Sequence, residues 1–421
     1  MKILLSFIIG YVLASCSPAR SIVRDLRTKS IYADRVMGVA LYDPASRKYL
    51  IQHNADRPFI PASNTKLFTF YAGLLTLPDS LPALRYVVRS DSLIFWGTGN
   101  PLLLHPDLPD TTALAFLRNR PERLFFSATN YDRPRYGPGW AWDDYNDDYS
   151  PELAPLPLYG NVVRFTGKYS SPRRFMDSVL TVPESKLIKT IRRAEFSNQF
   201  IRPARASIVA QDVPFRWQSG LAAQLLADTL HRPVGVVQLP VSPDARLLRG
   251  IATDSLYKRM LLVSDNLFAE QVLVMVAAER SVNRLDPTAQ LHRMADSVLH
   301  YPAASAKWVD GSGLSRYNLF TPNVLIDLLT KLASLVPQQR LFALLPAAGQ
   351  TGTLQSMAFS GKPYVFAKSG SMSGVYNLSG YLLTSRGKLL YFSVMNNNFT
   401  GSVSAVRRQT AELLKQIHER F

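Results

Sequence analysis

Two short apolar runs from Val36 in "VMGVALYDPASRKYLIQH" flank a polar stretch with an Asp-Pro turn, which predicts two strands joined by a turn. The rhythm then changes. After Pro61, in "PFIPASNTKLFTF", residues Leu67, Phe70 and Leu74 fall on one face of a helix, and Ser63 and Asn64 are good N-cap residues for it. From 85 to about 205, short apolar runs are broken by Pro, Gly and Asp, as in "IFWGTGNPLLLHPDLPD" and "YGPGWAWDDYNDDYSPELAPLPLYGN". Such a stretch predicts a separate, loop-rich, mostly β module. Helical spacing returns at "RWQSGLAAQLLADTLHRPVG", is strongest over 255–282, and resumes at 322–335 and 404–419. Between the last two lie a strand, "YVFAKSG", and a hairpin through Arg386 and Gly387 to "KLLYFSVMNN". Helices and strands around one sheet predict an α/β (α+β) domain built from 36–84 and 206–421, with 85–205 inserted into it.

The N-terminus follows neither rhythm. "MKILLSFIIGYVLASC" has one lysine and then an apolar or small run from Ile3 to Ser15, too short to span a membrane and suited to a cleaved export signal. A buried first strand is the alternative. The run ends in Leu13-Ala14-Ser15-Cys16, which resembles the bacterial lipobox, whose cysteine is lipidated and becomes the first mature residue. Cys16 is the only cysteine, so no intrachain disulfide or cysteine metal cluster can form. Residues 17–35 read as a polar tether between a lipid anchor and a folded body. A periplasmic, lipid-anchored protein of a bacterial cell envelope is therefore expected.

Composition narrows this further. A chain of 421 residues that is 47% apolar can bury one large core or two smaller ones. Lys and Arg outnumber Asp and Glu by 48 to 31, and a net charge of +17 suits anionic partners such as lipid headgroups or envelope polymers. Zinc-finger spacing and aromatic RNA-binding signatures are absent from the sequence, so nucleic acid is not an expected partner.

Ser63 and Lys66 stand three apart at a helix start, which puts hydroxyl and ammonium side by side. An amine so placed can take a proton from a serine. Ser-x-x-Lys alone is weak, since it recurs at Ser255 to Lys258 and Ser385 to Lys388. Only Ser63 opens an apolar helix after a proline. A second signal is Ser264-Asp265-Asn266, three small polar residues inside the most apolar helical stretch. On its own it fits a capped loop between helices. The third is "FAKSGSMSG", where Lys368 supplies a fixed charge and Gly370 allows close backbone approach. Alone it would pass as an edge strand blunted by lysine.

Ser-x-x-Lys, Ser-x-Asn and Lys-x-Gly in this order are the elements of penicillin-recognising acyl enzymes. The sequence resembles the D-alanyl-D-alanine carboxypeptidase/endopeptidases known as class C low-molecular-mass penicillin-binding proteins, which carry a long insertion between the first two motifs. The resemblance covers most of the chain, through "NADRPFIPASNTKLFT", "GTGNP", "GWAWDD", "SDNLFAE", "DGSGLSRYNLFTP", "LPAAGQTGTL" and "AKSGSMSGVYNLSGY". It departs at the third motif, where Lys368-Ser369-Gly370-Ser371 replaces the usual Lys-Thr-Gly-Thr and keeps both hydroxyls.

The resemblance implies a penicillin-recognising serine acyl-transferase (β-lactamase/transpeptidase-like) fold with a large inserted domain. It implies hydrolysis of peptidoglycan stem peptides through an ester on Ser63, with β-lactams as covalent inhibitors and no metal or cofactor. Lys66, with its pKa lowered by burial and nearby cations, would be the base. Ser264 would relay a proton, Asn266 hold the substrate amide and Lys368 supply a positive field. Ser369 and Gly370 would meet the terminal carboxylate, and the N–H groups of Ser63 and Ser371 would form the oxyanion hole. In "GWAWDD", Asp143 and Trp140, with Met372, would meet the free end of the stem peptide's third residue, often diaminopimelate. A β-lactamase of the same fold and a catalytically silent wall-binding module are the alternatives. A Ser/His/Asp hydrolase fits less well, because none of the six histidines lies in a catalytic signature and no G-x-S-x-G occurs.

Overall fold

The computed structural model describes residues 18–183, 189–204, 209–357 and 361–421. Cys16 and the apolar run before it lie outside the described residues.

The apolar runs of the first hairpin and of the C-terminal end form one antiparallel sheet. Its strands run in the order Val365–Met372, Val375–Leu383, Leu389–Asn397, Val36–Asp43 and Lys48–His53. The first strand of the chain therefore pairs with the last. Successive side chains face opposite sides: Ala40 joins one core cluster, Val39 and Leu41 the other. On one side pack the helices Lys66–Thr76, Asn266–Arg280 and Pro322–Leu335, through Leu67, Phe70, Leu273 and Leu329. On the other lies the C-terminal helix Val403–Arg420, which buries Leu413, Leu414 and Ile417.

Beside it runs an element the sequence reading took for a tether. Pro18–Thr28 is a helix whose Ile22 and Leu26, four residues apart, are buried in the same cluster. The polar residues of the segment are its solvent face, and the apolar pair escapes notice because two residues are a small sample of a period.

The insertion also has wider bounds than its composition suggests. Strands Ser80–Arg89 and Arg246–Ala252 pair antiparallel where the chain leaves and re-enters the body, so the unit spans 80–252 rather than 85–205. They border a second five-stranded sheet completed by Ser92–Gly97, Arg123–Ser127 and Val234–Val236. Helix Ser219–Leu230 belongs to this unit: Ala222, Leu225 and Leu226 pack with Leu84, Phe95, Phe126 and Val163. The shift in composition near 205 marks the end of the loop-rich part, not the end of the packing unit.

The strongest helical stretch, 255–282, divides into Thr253–Leu262 and Asn266–Arg280. Ser264 adopts φ 64°, a left-handed conformation unusual for a residue with a Cβ, and the Asp265 carboxylate caps the second helix by accepting from the Phe268 N–H at 3.1 Å. Among the described residues, no helix is long and apolar enough to cross a membrane.

Candidate active site

Pro61 brings the chain into a 3₁₀ turn, Ala62–Thr65, that runs straight into helix Lys66–Thr76. Ser63 and Asn64 sit inside that turn and are not side-chain caps. Two segments press on it. A Cβ at Gly370 would lie 2.3 Å from the Pro61 carbonyl oxygen and 3.0 Å from the Ser63 nitrogen, and one at Gly313 would lie 1.9 Å from the Ala62 carbonyl oxygen. Glycine in the Lys-Ser-Gly strand is thus what lets it lie against the serine's backbone. Asn64 anchors the turn to the sheet by donating to the Ser379 hydroxyl at 2.9 Å.

Lys66 lies one turn on, fully buried. Its ammonium donates to Ser63 Oγ at 2.9 Å, Asn266 Oδ1 at 2.6 Å and the Ser312 carbonyl at 2.8 Å. Burial lowers its pKa to about 8, while the carboxylates of Asp310, Glu270 and Asp265 oppose that shift. Carboxylates thus oppose burial at Lys66, and beside them stands the Lys368 cation, whose repulsion with Lys66 is mutual. Lys368, equally buried, donates to Ser264 Oγ at 2.9 Å and to the Ser369 carbonyl at 2.7 Å. Burial pushes it well below the usual lysine range, and the charge of Lys66 adds to the effect. The site thus holds two serine–lysine pairs, with Asn266 tied to the first.

Ser369 Oγ lies 2.6 Å from the hydroxyl of Thr353, a residue not assigned a role from the sequence although "GQTGTL" contains it. The loop Asp310–Ser315 was likewise quoted without a role. Asp310 accepts from the N–H groups of Gly313 (2.8 Å) and Ser315 (2.6 Å) and from the Asn318 amide at 2.7 Å. The other two Ser-x-x-Lys pairs stand apart, on helix Thr253–Leu262 and in the turn after Leu383.

A cavity of ~540 Å³ opens over Ser63, bordered by Ser264, Asn266, Ser371 and Met372. The insertion closes its far side with Ala141, Asp144 and Tyr149, and the body adds Leu314 and Arg316. The Tyr149 carbonyl accepts from Asn266 Nδ2 at 2.9 Å. Two expectations need correction here. Asp143 is exposed and does not line the cavity; its neighbour Asp144 does, because Trp142–Asn146 is a 3₁₀ turn that sends adjacent side chains about a third of a turn apart. Trp140 is not a wall either: its indole donates to the buried Asp310 carboxylate at 3.0 Å. Partial burial raises the Asp144 carboxyl.

A second tie joins the insertion to the Ser264 turn. Arg259 donates to Asp265 at 3.1 Å and to Asp107 of the insertion at 3.0 Å, and Arg164 bridges Asp107 (2.6 Å) and Asp212 (2.7 Å). The hydrogen bond from Arg164 holds Asp107 at about 2. Close by, burial keeps His105 neutral down to about 4, with its Nδ1 accepting from the N–H groups of Asp107 and Leu108. Among the described residues, no group of three or more His, Cys, Asp or Glu side chains is disposed to hold a metal ion.

Comparison with known proteins gives the arrangement a lineage. The chain is 31% identical over 408 residues to the D-alanyl-D-alanine carboxypeptidase DacB of Haemophilus influenzae, covering 85% of this chain and 84% of that one. It is 26% identical over 432 residues to an Actinomadura D-alanyl-D-alanine carboxypeptidase, covering 87% and 78%. Its fold matches the crystal structure of penicillin binding protein 4 (dacB) from Haemophilus influenzae with a TM-score of 0.77 at 21% identity, over 94% of this chain and 99% of that one. Residues 28–173 and 220–417 match the D-Ala-D-Ala carboxypeptidase 3 (S13) family, and the chain belongs to that family.

Proposed function

We propose that the protein is a serine-type D-Ala-D-Ala carboxypeptidase, with endopeptidase capacity, that cleaves peptidoglycan stem peptides through an ester on Ser63. The observation that carries this reading is the pairing of two buried lysines, Lys66 with Ser63 and Lys368 with Ser264, beneath one cavity. Ser63 Oγ attacks the carbonyl of the penultimate D-alanine as its proton passes to the neutral form of Lys66. Ser264 hands a proton to the leaving amine and takes in its place the one Lys66 received, the C–N bond breaks, and the terminal residue departs. Water then hydrolyses the ester and returns the serine.

Backbone N–H groups of Ser63 and Ser371 take the oxyanion, where one donor is worth about 3 kcal/mol. Asn266 is assigned to the substrate amide, and Ser369 with Gly370 to the terminal carboxylate in the field of Lys368. The zwitterionic end of a diaminopimelate side chain suits the opposite wall: Asp144 for the ammonium, Arg316 for the carboxylate, Leu314 and Met372 for the methylenes. β-Lactams would acylate Ser63 by the same steps; a penicillin binding protein 4 of this fold was crystallised with one. The apolar run ending at Cys16 supports a lipid anchor in the cell envelope, and a fatty-acid probe should mark the wild type but not Cys16→Ala.

Fluorescent penicillin should label the protein, and Ser63→Ala should abolish labelling while keeping the fold. Mass analysis of digested muropeptides should then show loss of terminal D-alanine. Rapid nitrocefin turnover with intact muropeptides would favour a β-lactamase, and neither labelling nor turnover a silent module.

A further inference from the structure

Glu270 is a buried carboxylate that none of the steps above uses. It lies four residues after Asn266, so both side chains leave the same face of helix Asn266–Arg280. Its two oxygens accept from the backbone N–H groups of Gly311 at 3.0 Å and Ser312 at 2.7 Å. The carbonyl of Ser312 in turn accepts from Lys66 Nζ at 2.8 Å. One helix face thus fixes two of the three oxygens around the Lys66 ammonium: Asn266 Oδ1 directly, and the Ser312 carbonyl through Glu270.

Thr69 holds the carbonyl of Gly311 at 2.6 Å and Asp310 the N–H groups of Gly313 and Ser315, while the N–H groups of Gly311 and Ser312 fall to Glu270. Gly311 and Gly313 carry no side chains, and both are pressed close. A Cβ at Gly311 would lie 2.7 Å from the Ala269 carbonyl oxygen, and Gly313 abuts the Ser63 turn. A carboxylate is the side chain that can accept two converging N–H groups. Glutamine, with one oxygen and one NH₂, would set donor against donor. Burying an anion is costly without compensating charge, and here the compensation is Lys66.

We propose that Glu270 is a positioning residue for acylation: it fixes the Gly311–Ser312 peptide against Lys66, and its charge governs how readily Lys66 gives up its proton. This rests on Lys66 being the base. The charged groups around the pair are Asp310 in the loop, Lys368 on strand Val365–Met372, Asp265 at the helix cap, and, facing Glu270 from the insertion, the hydroxyl of Tyr131. Burial raises the carboxyls of both Glu270 and Asp310, and each raises the cost of ionising the other. The charge on Glu270 raises Lys66, so removing it must lower Lys66.

The test is rapid-mixing acylation by a chromogenic cephalosporin from pH 5.5 to 9.5, separating the rate constant from the binding step. Glu270→Gln should lower the acylation rate constant about tenfold at its plateau, leave binding within about twofold, and move the acid limb down by about one pH unit. Glu270→Asp, which keeps the charge but shortens the reach, should lose rate while holding the wild-type midpoint. A glutamine variant with the wild-type midpoint, or an aspartate variant with a shifted one, would overturn the proposal. Should the glutamine variant not fold, the aspartate profile decides alone. Lys66→Ala is the separate control: if it acylates with an unchanged acid limb, the base is another group, and the reading of Lys66 fails rather than that of Glu270.

Discussion

The catalytic body and the insertion border the same cavity, and the groups that make up and back their two walls differ in kind. From the body come Lys66, Lys368, Glu270 and Asp310, all buried and fixed by backbone atoms of segments that close glycine contacts hold together. The insertion contributes a half-buried Asp144, the carbonyl of Tyr149, the Trp140 indole and an arginine–aspartate bridge open to solvent along its edge. Buried charges tolerate no loss of a partner, whereas rim charges keep water as a substitute. The difference teaches a division of labour. On the proposed function, the body would decide whether a serine ester can form at all, and the insertion how well a particular peptide is presented to it.

The largest effect expected is on the body. Lys66→Ala should slow acylation about a thousandfold for penicillin and for peptide alike, since both use the same proton transfer. The wild-type rate should rise with pH and level off above about 8, because only the neutral amine accepts the proton and burial has brought it within reach. Below that midpoint each pH unit should cost about tenfold. If Lys66→Ala lost peptide cleavage but kept penicillin acylation, the body would be selecting substrates and the comparison would break.

An effect on the insertion should divide the two substrates. Asp144→Ala removes the carboxylate offered to an ammonium, an interaction worth about 2 kcal/mol when desolvated, or roughly thirtyfold in kcat/KM. Cleavage of diaminopimelate peptides should fall by that factor, and penicillin, which lacks the ammonium, should acylate at nearly the wild-type rate. Asp143→Ala, one residue earlier and exposed, should change neither. Equal losses on both substrates would return this wall to a purely structural role.

Why the sequence put the carboxylate one residue early, yet set Lys66 beside Ser63 as the structure does, has a physical answer. Ser63 and Lys66 are local: helical spacing brings them together whatever else the chain does. Lys368 and Ser264 come from distant segments, and what made them legible was the order of motifs, not any spacing rule. Which of two adjacent aspartates enters the cavity depends on the phase of a short 3₁₀ turn, and composition carries no record of phase. The sheet was legible because its strands are short apolar runs bounded by turn residues, as both faces of the sheet are buried. The insertion's limits were not, since helix Ser219–Leu230 reads the same whichever core it joins. Glu270 lies within "SDNLFAE" but is not legible there, because nothing local distinguishes a buried glutamate from a solvated one.

The smallest effect expected lies where the two regions touch. Asp107 belongs to the insertion and accepts from Arg259, whose other bond reaches Asp265, between Ser264 and Asn266, to which catalytic roles are proposed. Removing Asp107 therefore loosens the Ser264 turn from outside. The loss should be modest: Arg259 keeps Asp265 and its place over the Phe268 ring, the Tyr149 carbonyl still holds Asn266, and pairs this open to solvent contribute about 1 kcal/mol at most. Asp107→Ala should slow acylation about threefold, and for both substrates, because both use that turn. It should also remove part of the wild-type sensitivity to salt, since screening acts on the bridge that the substitution deletes. A double-mutant cycle with Arg259→Ala should show losses that are less than additive, as expected for partners in one chain of contacts. A loss confined to peptide would make the insertion purely selective and sharpen the contrast with the body. A loss approaching that of Lys66→Ala would instead make the bridge part of the catalytic machine, and the boundary between the regions would have to be redrawn at Arg164 and Asp212.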